Sequence, residues 1–351
     1  MRIIFATGQG GGHFQPLVPF ARAARRAGHD VVVAAPGSAR GMVERAGFDC
    51  YALGEPWDRA ERWAPVFGPD GPDAVHVIQE LFIGLDAYAA LPGMLALVHN
   101  RGADLIVRET TEFASTIAAA HFKVPVVAVG PHLDAAIDVD GGLHAIAAPA
   151  LERLGPYRLD APVLTLSPFG EAPGVHRFRH PASERVDRSL VYVSFGSEIR
   201  SPELFRAAAL ALAEIPERVL MTIGRHVDPE ALGSLPANVR VVRWVDQGDV
   251  MPRAAAMVSH GGSGGTLAAL AAGVPLALMP QFVDGPANAR RVAELGAGIV
   301  VADDLAGTVR ELLENEAYRE AAEGVASEIR ALPPVEAALE VFSRSAGSVA
   351  R

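Results

Sequence analysis

Short β-branched runs alternate with alanine-rich helical stretches along nearly the whole chain, and this alternation constrains the fold more than any other feature. In the first half the strand candidates are 2–6, 30–34, 104–107 and 125–129. Between the first two, residues 14–27 put Leu17, Val18, Ala21 and Ala24 on one helical face, and Gly28 follows as a helix-ending glycine. In the second half the candidates are 190–195, 219–223, 239–242, 256–259 and 275–279. Such alternation predicts α/β domains whose doubly wound parallel sheets carry helices on both faces. A chain of 351 residues, half of them hydrophobic, fits two such domains.

The natural break is Ser167-Pro168-Phe169-Gly170-Glu171-Ala172-Pro173-Gly174, followed by a mixed-charge stretch. It sets a first domain at 1–168, a linker at 169–188 and a second domain at 189–334. The tail beyond Pro333-Pro334 spaces Val335, Leu339 and Phe342 as one helix over about 335–351.

A net charge of −10 argues against a nucleic-acid partner, which selects a basic face. Cys50 is the only cysteine, so neither a disulfide within the chain nor a cysteine metal site is available. The apolar start Met1-Arg2-Ile3-Ile4-Phe5-Ala6 is too short for a signal peptide and stops at glycines. No uninterrupted apolar run reaches the ~18–20 residues of a membrane span, so no integral membrane segment is expected. A cytoplasmic location is the expectation.

Two glycine clusters follow strands and open helices. The first is Gly8-Gln9-Gly10-Gly11-Gly12-His13-Phe14-Gln15-Pro16. A dinucleotide fingerprint would need a sixth-position glycine where His13 stands, and the second strand ends without a carboxylate, so nicotinamide and flavin cofactors are disfavoured. What remains is a loop presenting His13 at a strand's carboxyl end, where α/β sheets bind ligands. The second cluster is Val258-Ser259-His260-Gly261-Gly262-Ser263-Gly264-Gly265-Thr266-Leu267. Glycines admit a ligand close to the backbone, and the helix start offers free N–H groups and a positive dipole end, which suits a phosphate.

Together with Trp244-Val245-Asp246-Gln247, His260 sixteen residues beyond Trp244, and Asp284, this block resembles the nucleotide-sugar signature of the family-1, UDP-glycosyltransferase-like enzymes. The Gly-His-x-x-Pro pattern of His13 resembles the first-loop motif of the same family. The resemblance implies two facing domains of the GT-B fold, with the tail helix crossing back to the first. It implies that His13 is the general base, a task suited to imidazole. An acidic residue after the 104–107 strand would orient it; Glu109 matches best by position and Glu112 is the fallback. For the donor it implies Gly196 and Ser197 against the donor and its diphosphate, Trp244 stacked on the nucleotide base, Gly12, Val245 and Gln247 as further donor-binding residues, and Asp284 on sugar hydroxyls. His260, Gly262, Ser263, Gly264, Gly265 and Thr266 would hold the diphosphate.

Two positions depart from the family pattern. Gly285 replaces a glutamine, and Ala268 replaces a glutamate that holds ribose hydroxyls in plant members. These departures point to a dTDP-linked donor, with UDP as the alternative. Asp138-Val139-Asp140 has the spacing of a metal-binding pair, yet helix amides already serve a leaving diphosphate, so no metal and no further cofactor is expected. Residues 54–93, with Trp57, Trp63, Phe67, Phe82 and Tyr88, and residues 131–149 are expected to shape the pocket for a small, partly apolar natural product. Three other readings stay open: a nucleotide-sugar epimerase, a lipid-linked cell-wall transferase and a non-catalytic nucleotide-sugar-binding helper protein. Oligomeric state has no sequence signal.

Overall fold

The computed structural model describes residues 1–67, 73–134, 142–182, 188–197, 199–281 and 284–347. The chain forms two compact units. The first comprises Met1–Arg179 and the chain from Leu332 onward, and the second comprises His180–Ala331.

The first unit holds a seven-stranded sheet: β1 (Arg2–Ala6), β2 (Asp30–Pro36), β3 (Cys50–Leu53), β4 (Leu105–Glu109), β5 (Val126–Gly130), β6 (Val163–Thr165) and β7 (Val175–Arg177). Their order is β3-β2-β1-β4-β5-β6-β7, and every neighbouring pair is parallel. β4 and β5 are buried at every position, as strands covered on both faces must be. Ile4, Ile106, Val126, Met94, Leu97 and Ile117 form part of one core cluster.

The second unit holds six parallel strands: β8 (Leu190–Ser194), β9 (Arg218–Thr222), β10 (Val239–Val242), β11 (Ala254–Ser259), β12 (Leu276–Leu278) and β13 (Gly298–Val300). Their order is β10-β9-β8-β11-β12-β13. Val193, Met221, Val258, Phe205, Val309 and Leu312 anchor its core.

Two expectations need correction, and a third observation bears on the membrane expectation. The linker expected at 169–188 includes β7, which pairs with β6 as an edge strand, so the first unit runs on to Arg179. Its short, polar Val175-His176-Arg177 run carries little strand signal. Next, the helix expected at 14–27 begins earlier. Helical backbone starts at Gly11, passes through a tight turn at Gln15–Leu17 and ends at Arg26. Finally, one helical run, Ala74–Arg101, has the length and apolar composition to cross a membrane. Glu80, Asp86 and His99 interrupt it in the sequence, and Ile78, Ile83, Met94 and Leu97 on it belong to the first core.

The tail helix Ala338–Gly347 lies on the first unit. Phe342 packs edge-on against Phe5 with ring centroids 6.3 Å apart, and Glu336 pairs with Arg26 at 2.5 Å.

Candidate active site

In each sheet the strand order reverses direction at one place, and the crevice outside the strand ends there is where doubly wound sheets bind ligands. In the first sheet that place lies between β1 and β4. His13 follows β1, and Glu109 ends β4. In the second it lies between β8 and β11. Gly196 follows β8, and His260 follows β11. The chain thus delivers its two candidate histidines to equivalent points of two separate sheets.

Gly10 sits at φ 103°, a backbone region that favours glycine, and lets the chain turn from β1 into a helical turn at Gly11–Phe14. His13 is therefore held in a helical first turn rather than on a free loop. Gly12 beside it is exposed, and a Cβ there would meet nothing within 4 Å.

His13 Nδ1 lies 3.1 Å from Glu109 Oε2 and 3.1 Å from Thr111 Oγ1. The Thr111 hydroxyl donates to Glu109 Oε2 at 2.6 Å, and the Thr111 amide donates to Oε1 at 3.0 Å. Thr110 adds a hydroxyl at 3.3 Å. The Glu109 side chain is fully buried, while the His13 side chain keeps 28% of its surface exposed. Nδ1 is thus committed to the carboxylate, which leaves Nε2 as the ring nitrogen for a substrate proton. Burial disfavours the charged imidazolium, but the charge and hydrogen bond of Glu109 outweigh it and raise the His13 pKa. Burial likewise opposes the Glu109 carboxylate, but His13 and Thr111 outweigh it and lower that pKa.

Glu112 does not reach His13 in this arrangement. Its carboxylate accepts the Ser115 amide at 3.2 Å in the first turn of the helix Ala114–Phe122. Burial raises its pKa, against the Ser115 hydrogen bond and the Arg108 charge. Sequence spacing had left both glutamates open; the turn at 109–112 separates them. Thr111 was not singled out in the sequence, and no spacing rule points to it.

Aromatic side chains line the other flank of His13. The Phe82 ring meets the imidazole edge-on at 5.6 Å, and Trp63 meets Phe82 at 4.7 Å. Arg59 lies over Trp63, is paired bidentately with Asp86 at 2.9 and 2.8 Å, and also donates to Gln9. Trp57 and Tyr88 are exposed instead. The Asp138-Val139-Asp140 motif lies outside the described residues.

In the second unit His260 is wedged between two glycines. A Cβ at Gly196 would come within 3.0 Å of the imidazole, and one at Gly262 within 2.5 Å. Burial lowers the His260 pKa despite the nearby Asp284 charge, which favours the neutral ring. The helix Ser263–Ala271 starts here. Gly264 and Gly265 stand in its first turn, where backbone N–H groups have no intrahelical acceptor. Gly264 is exposed, and a Cβ there would meet nothing within 4 Å.

Trp244 is 72% exposed, a large apolar face available for stacking. Val245 and Gln247 are half-buried, and the Gln247 amide nitrogen lies 3.9 Å from where a Gly265 Cβ would stand. Ser197 follows Gly196 in the same bend. Thr266 is fully buried within the helix, and its hydroxyl has no protein hydrogen bond.

Asp284, matched to a sugar contact by resemblance, is turned inward. Its Oδ2 accepts the Ser263 amide at 2.9 Å, the Ser263 hydroxyl at 2.6 Å and the Asn288 amide nitrogen at 3.1 Å. Asn288 also donates to the Gly261 carbonyl at 2.7 Å, tying the glycine loop to the next helix. Gly285 stands where a Cβ would come within 2.7 Å of the His260 carbonyl, so the chain at that point has no room for a side chain.

Two parallel-sheet α/β units of this kind match the GT-B fold of glycosyltransferases. Residues 208–342 match the family described as Erythromycin biosynthesis protein CIII-like, C-terminal domain. The elloramycin glycosyltransferase ElmGT of Streptomyces olivaceus is 32% identical over 95% of this chain and 94% of its own. The glycosyltransferase SnogD from Streptomyces nogalater superposes with a TM-score of 0.83 at 28% identity, over 98% of this chain and 100% of its own. SsfS6 of Streptomyces sp. SF2575, solved in complex with thymidine diphosphate, shares the fold with a TM-score of 0.81 at 23% identity over 98% of this chain and 99% of its own. The chain belongs to the bacterial natural-product glycosyltransferases of the UDP-glycosyltransferase-like family.

Proposed function

We propose that this glycosyltransferase works with inversion, moving a sugar from a dTDP-linked donor to a small, partly apolar natural-product acceptor. UDP is the alternative nucleotide. The observation that carries the reading is the buried Glu109 carboxylate on His13 Nδ1.

In this reading the acceptor hydroxyl gives its proton to His13 Nε2. Its oxygen bonds to the anomeric carbon as the bond to the diphosphate breaks, in a single displacement that inverts that carbon. Glu109 stabilises the imidazolium that forms. The leaving diphosphate gains charge, and the Gly264 and Gly265 amides in the first turn of the Ser263–Ala271 helix offer donors to it without a metal ion. Trp244 stacks on the nucleotide base.

The dTDP preference is supported by Ala268, which brings no carboxylate to a ribose diol, and by the thymidine diphosphate in SsfS6. The acceptor class is supported by Phe82 and Trp63 beside His13 and by the elloramycin relative.

The test combines nucleotide titration and product analysis. dTDP and UDP are titrated against Trp fluorescence, and a dTDP-sugar is then incubated with phenolic and macrolide acceptors. Tighter dTDP binding and an acceptor mass increased by one sugar are expected. Clearly tighter UDP binding would overturn the nucleotide assignment. Donor turnover without any acceptor would favour an epimerase, and nucleotide binding without turnover would favour a helper protein.

A further inference from the structure

Arg108 is the penultimate residue of β4 and is completely buried. A guanidinium out of water needs full hydrogen-bonding compensation, so one placed beside a catalytic turn needs a reason to be there. Successive strand residues point to opposite faces, so Arg108 lies on the reverse side of the sheet from Glu109. Its Nη1 donates to three backbone carbonyls of the following turn: Glu109 at 3.0 Å, Thr110 at 2.8 Å and Glu112 at 2.9 Å. The guanidinium also lies over the Phe113 ring at 5.6 Å. Glu112 is buried close by, caps the next helix through the Ser115 amide and feels the Arg108 charge.

We infer that Arg108 is a positioning residue for the transfer reaction: by gathering the carbonyls of the 109–112 turn inward, it fixes the turn that aims the Glu109 carboxylate at His13. The three carbonyls belong to the residues that carry and follow Glu109. With them pinned, the Thr111 amide and hydroxyl meet the two carboxylate oxygens from the other side of the turn. Without the guanidinium the turn loses these three hydrogen bonds and keeps the one from the Glu112 amide to the Glu109 carbonyl at 3.0 Å, so it relaxes. Glu112 takes its place in this account as the buried counter-charge.

The inference rests on the proposed His13–Glu109 base and is tested so that the two fail separately. Besides Glu109, the charged groups acting on His13 are Arg59, Asp86 and His132, and the variants below leave them in place. Arg108→Met, Arg108→Lys, Glu109→Gln and the double variant Arg108→Met/Glu109→Gln are compared with the parent enzyme. kcat, acceptor KM and dTDP affinity are measured from about pH 5 to 9, a range that spans histidine titration. Folding is checked by circular dichroism.

Glu109→Gln is expected to move the acid-limb midpoint of kcat to lower pH. Arg108→Met is expected to move it the same way and to lower kcat by about 10²-fold, the cost of misplacing a reacting group by ~1 Å. Acceptor KM and dTDP affinity stay near the parent values. Arg108→Lys gives a smaller shift in the same direction, because a single ammonium replaces the planar fork. The double variant shows no shift beyond Glu109→Gln. A folded Arg108→Met with the parent midpoint, or additive effects in the double variant, would overturn the inference. If Arg108→Met does not fold, a parent profile in Arg108→Lys overturns it and a shifted one supports it. An unshifted Glu109→Gln would instead refute the base itself.

Discussion

Asp284 Oδ2 and the Ser263 amide meet at 2.9 Å, at the first residue of the helix that opens the diphosphate cradle. A carboxylate at that place complements the helix dipole and satisfies an otherwise free N–H. Asp284→Ala is expected to destabilise the second unit by about 1–2 kcal/mol, the usual cost of a lost charged cap. Thermal unfolding checks this, as a fall of about 2–8 °C in that unit's transition. dTDP binding should be retained, because removing a carboxylate near the cradle also removes repulsion. An unchanged transition would mean that the contact contributes nothing in solution.

Gly285 gives the next expectation. Restoring the family's glutamine does not restore a sugar contact here, because a Cβ would meet the His260 carbonyl at 2.7 Å. Gly285→Gln and Gly285→Ala should both destabilise, by about 1–3 kcal/mol as overpacking does. Both should raise the donor KM by shifting His260. A stable Gly285→Gln enzyme with improved use of UDP-glucose would contradict this.

How much of this was legible in the sequence follows from where the information resides. β1, β2, β4, β5, β8, β9, β10, β11 and β12 carry apolar runs dense enough to be read directly. β3, β6, β7 and β13 are short pieces such as Val163-Leu164-Thr165 and Gly298-Ile299-Val300, fixed by a neighbouring strand rather than by their own pattern. At the site, His13 and His260 stood out because each lies just past a strand in a glycine cluster, His13 after its glycines and His260 before them. Glu109 was ranked over Glu112 by position alone, since the turn dividing them is held by Arg108 through backbone carbonyls that a sequence does not display. Asp284 was matched to a role, but its inward hydrogen bonds depend on Asn288 and Ser263 arriving from two helices.

The His13–Glu109 pair has a definite pH signature. His13 acts as base only when neutral, so kcat should rise with pH through a midpoint above the ordinary histidine value of about 6.5. For stability the two groups act in opposite senses. The raised His13 pKa contributes stability that is full below the unfolded histidine value and is lost as pH rises through the folded one. The lowered Glu109 pKa contributes stability present above the unfolded glutamate value of about 4.3 and lost as pH falls through the folded one. The stability advantage of the parent over Glu109→Gln should therefore be largest between the folded Glu109 and His13 pKa values and shrink toward both pH extremes. A constant offset across all pH values would show that the pair is not charged in the folded protein.

The tail helix should act on the first unit. Phe342 is fully buried against Phe5, so Phe342→Ala should cost about 3–5 kcal/mol. Calorimetry should place the loss in the transition of the first unit, with dTDP binding unchanged. A loss confined to the second unit would show that the tail docks elsewhere.

The central claim is that His13 removes the acceptor proton while the second unit independently holds the nucleotide. The most direct measurement takes transfer rate and dTDP affinity together on His13→Ala. The expected result is dTDP affinity equal to that of the parent, with transfer reduced by about 10²–10⁴-fold, the range of a lost general base. Full transfer by a folded His13→Ala protein would contradict the account.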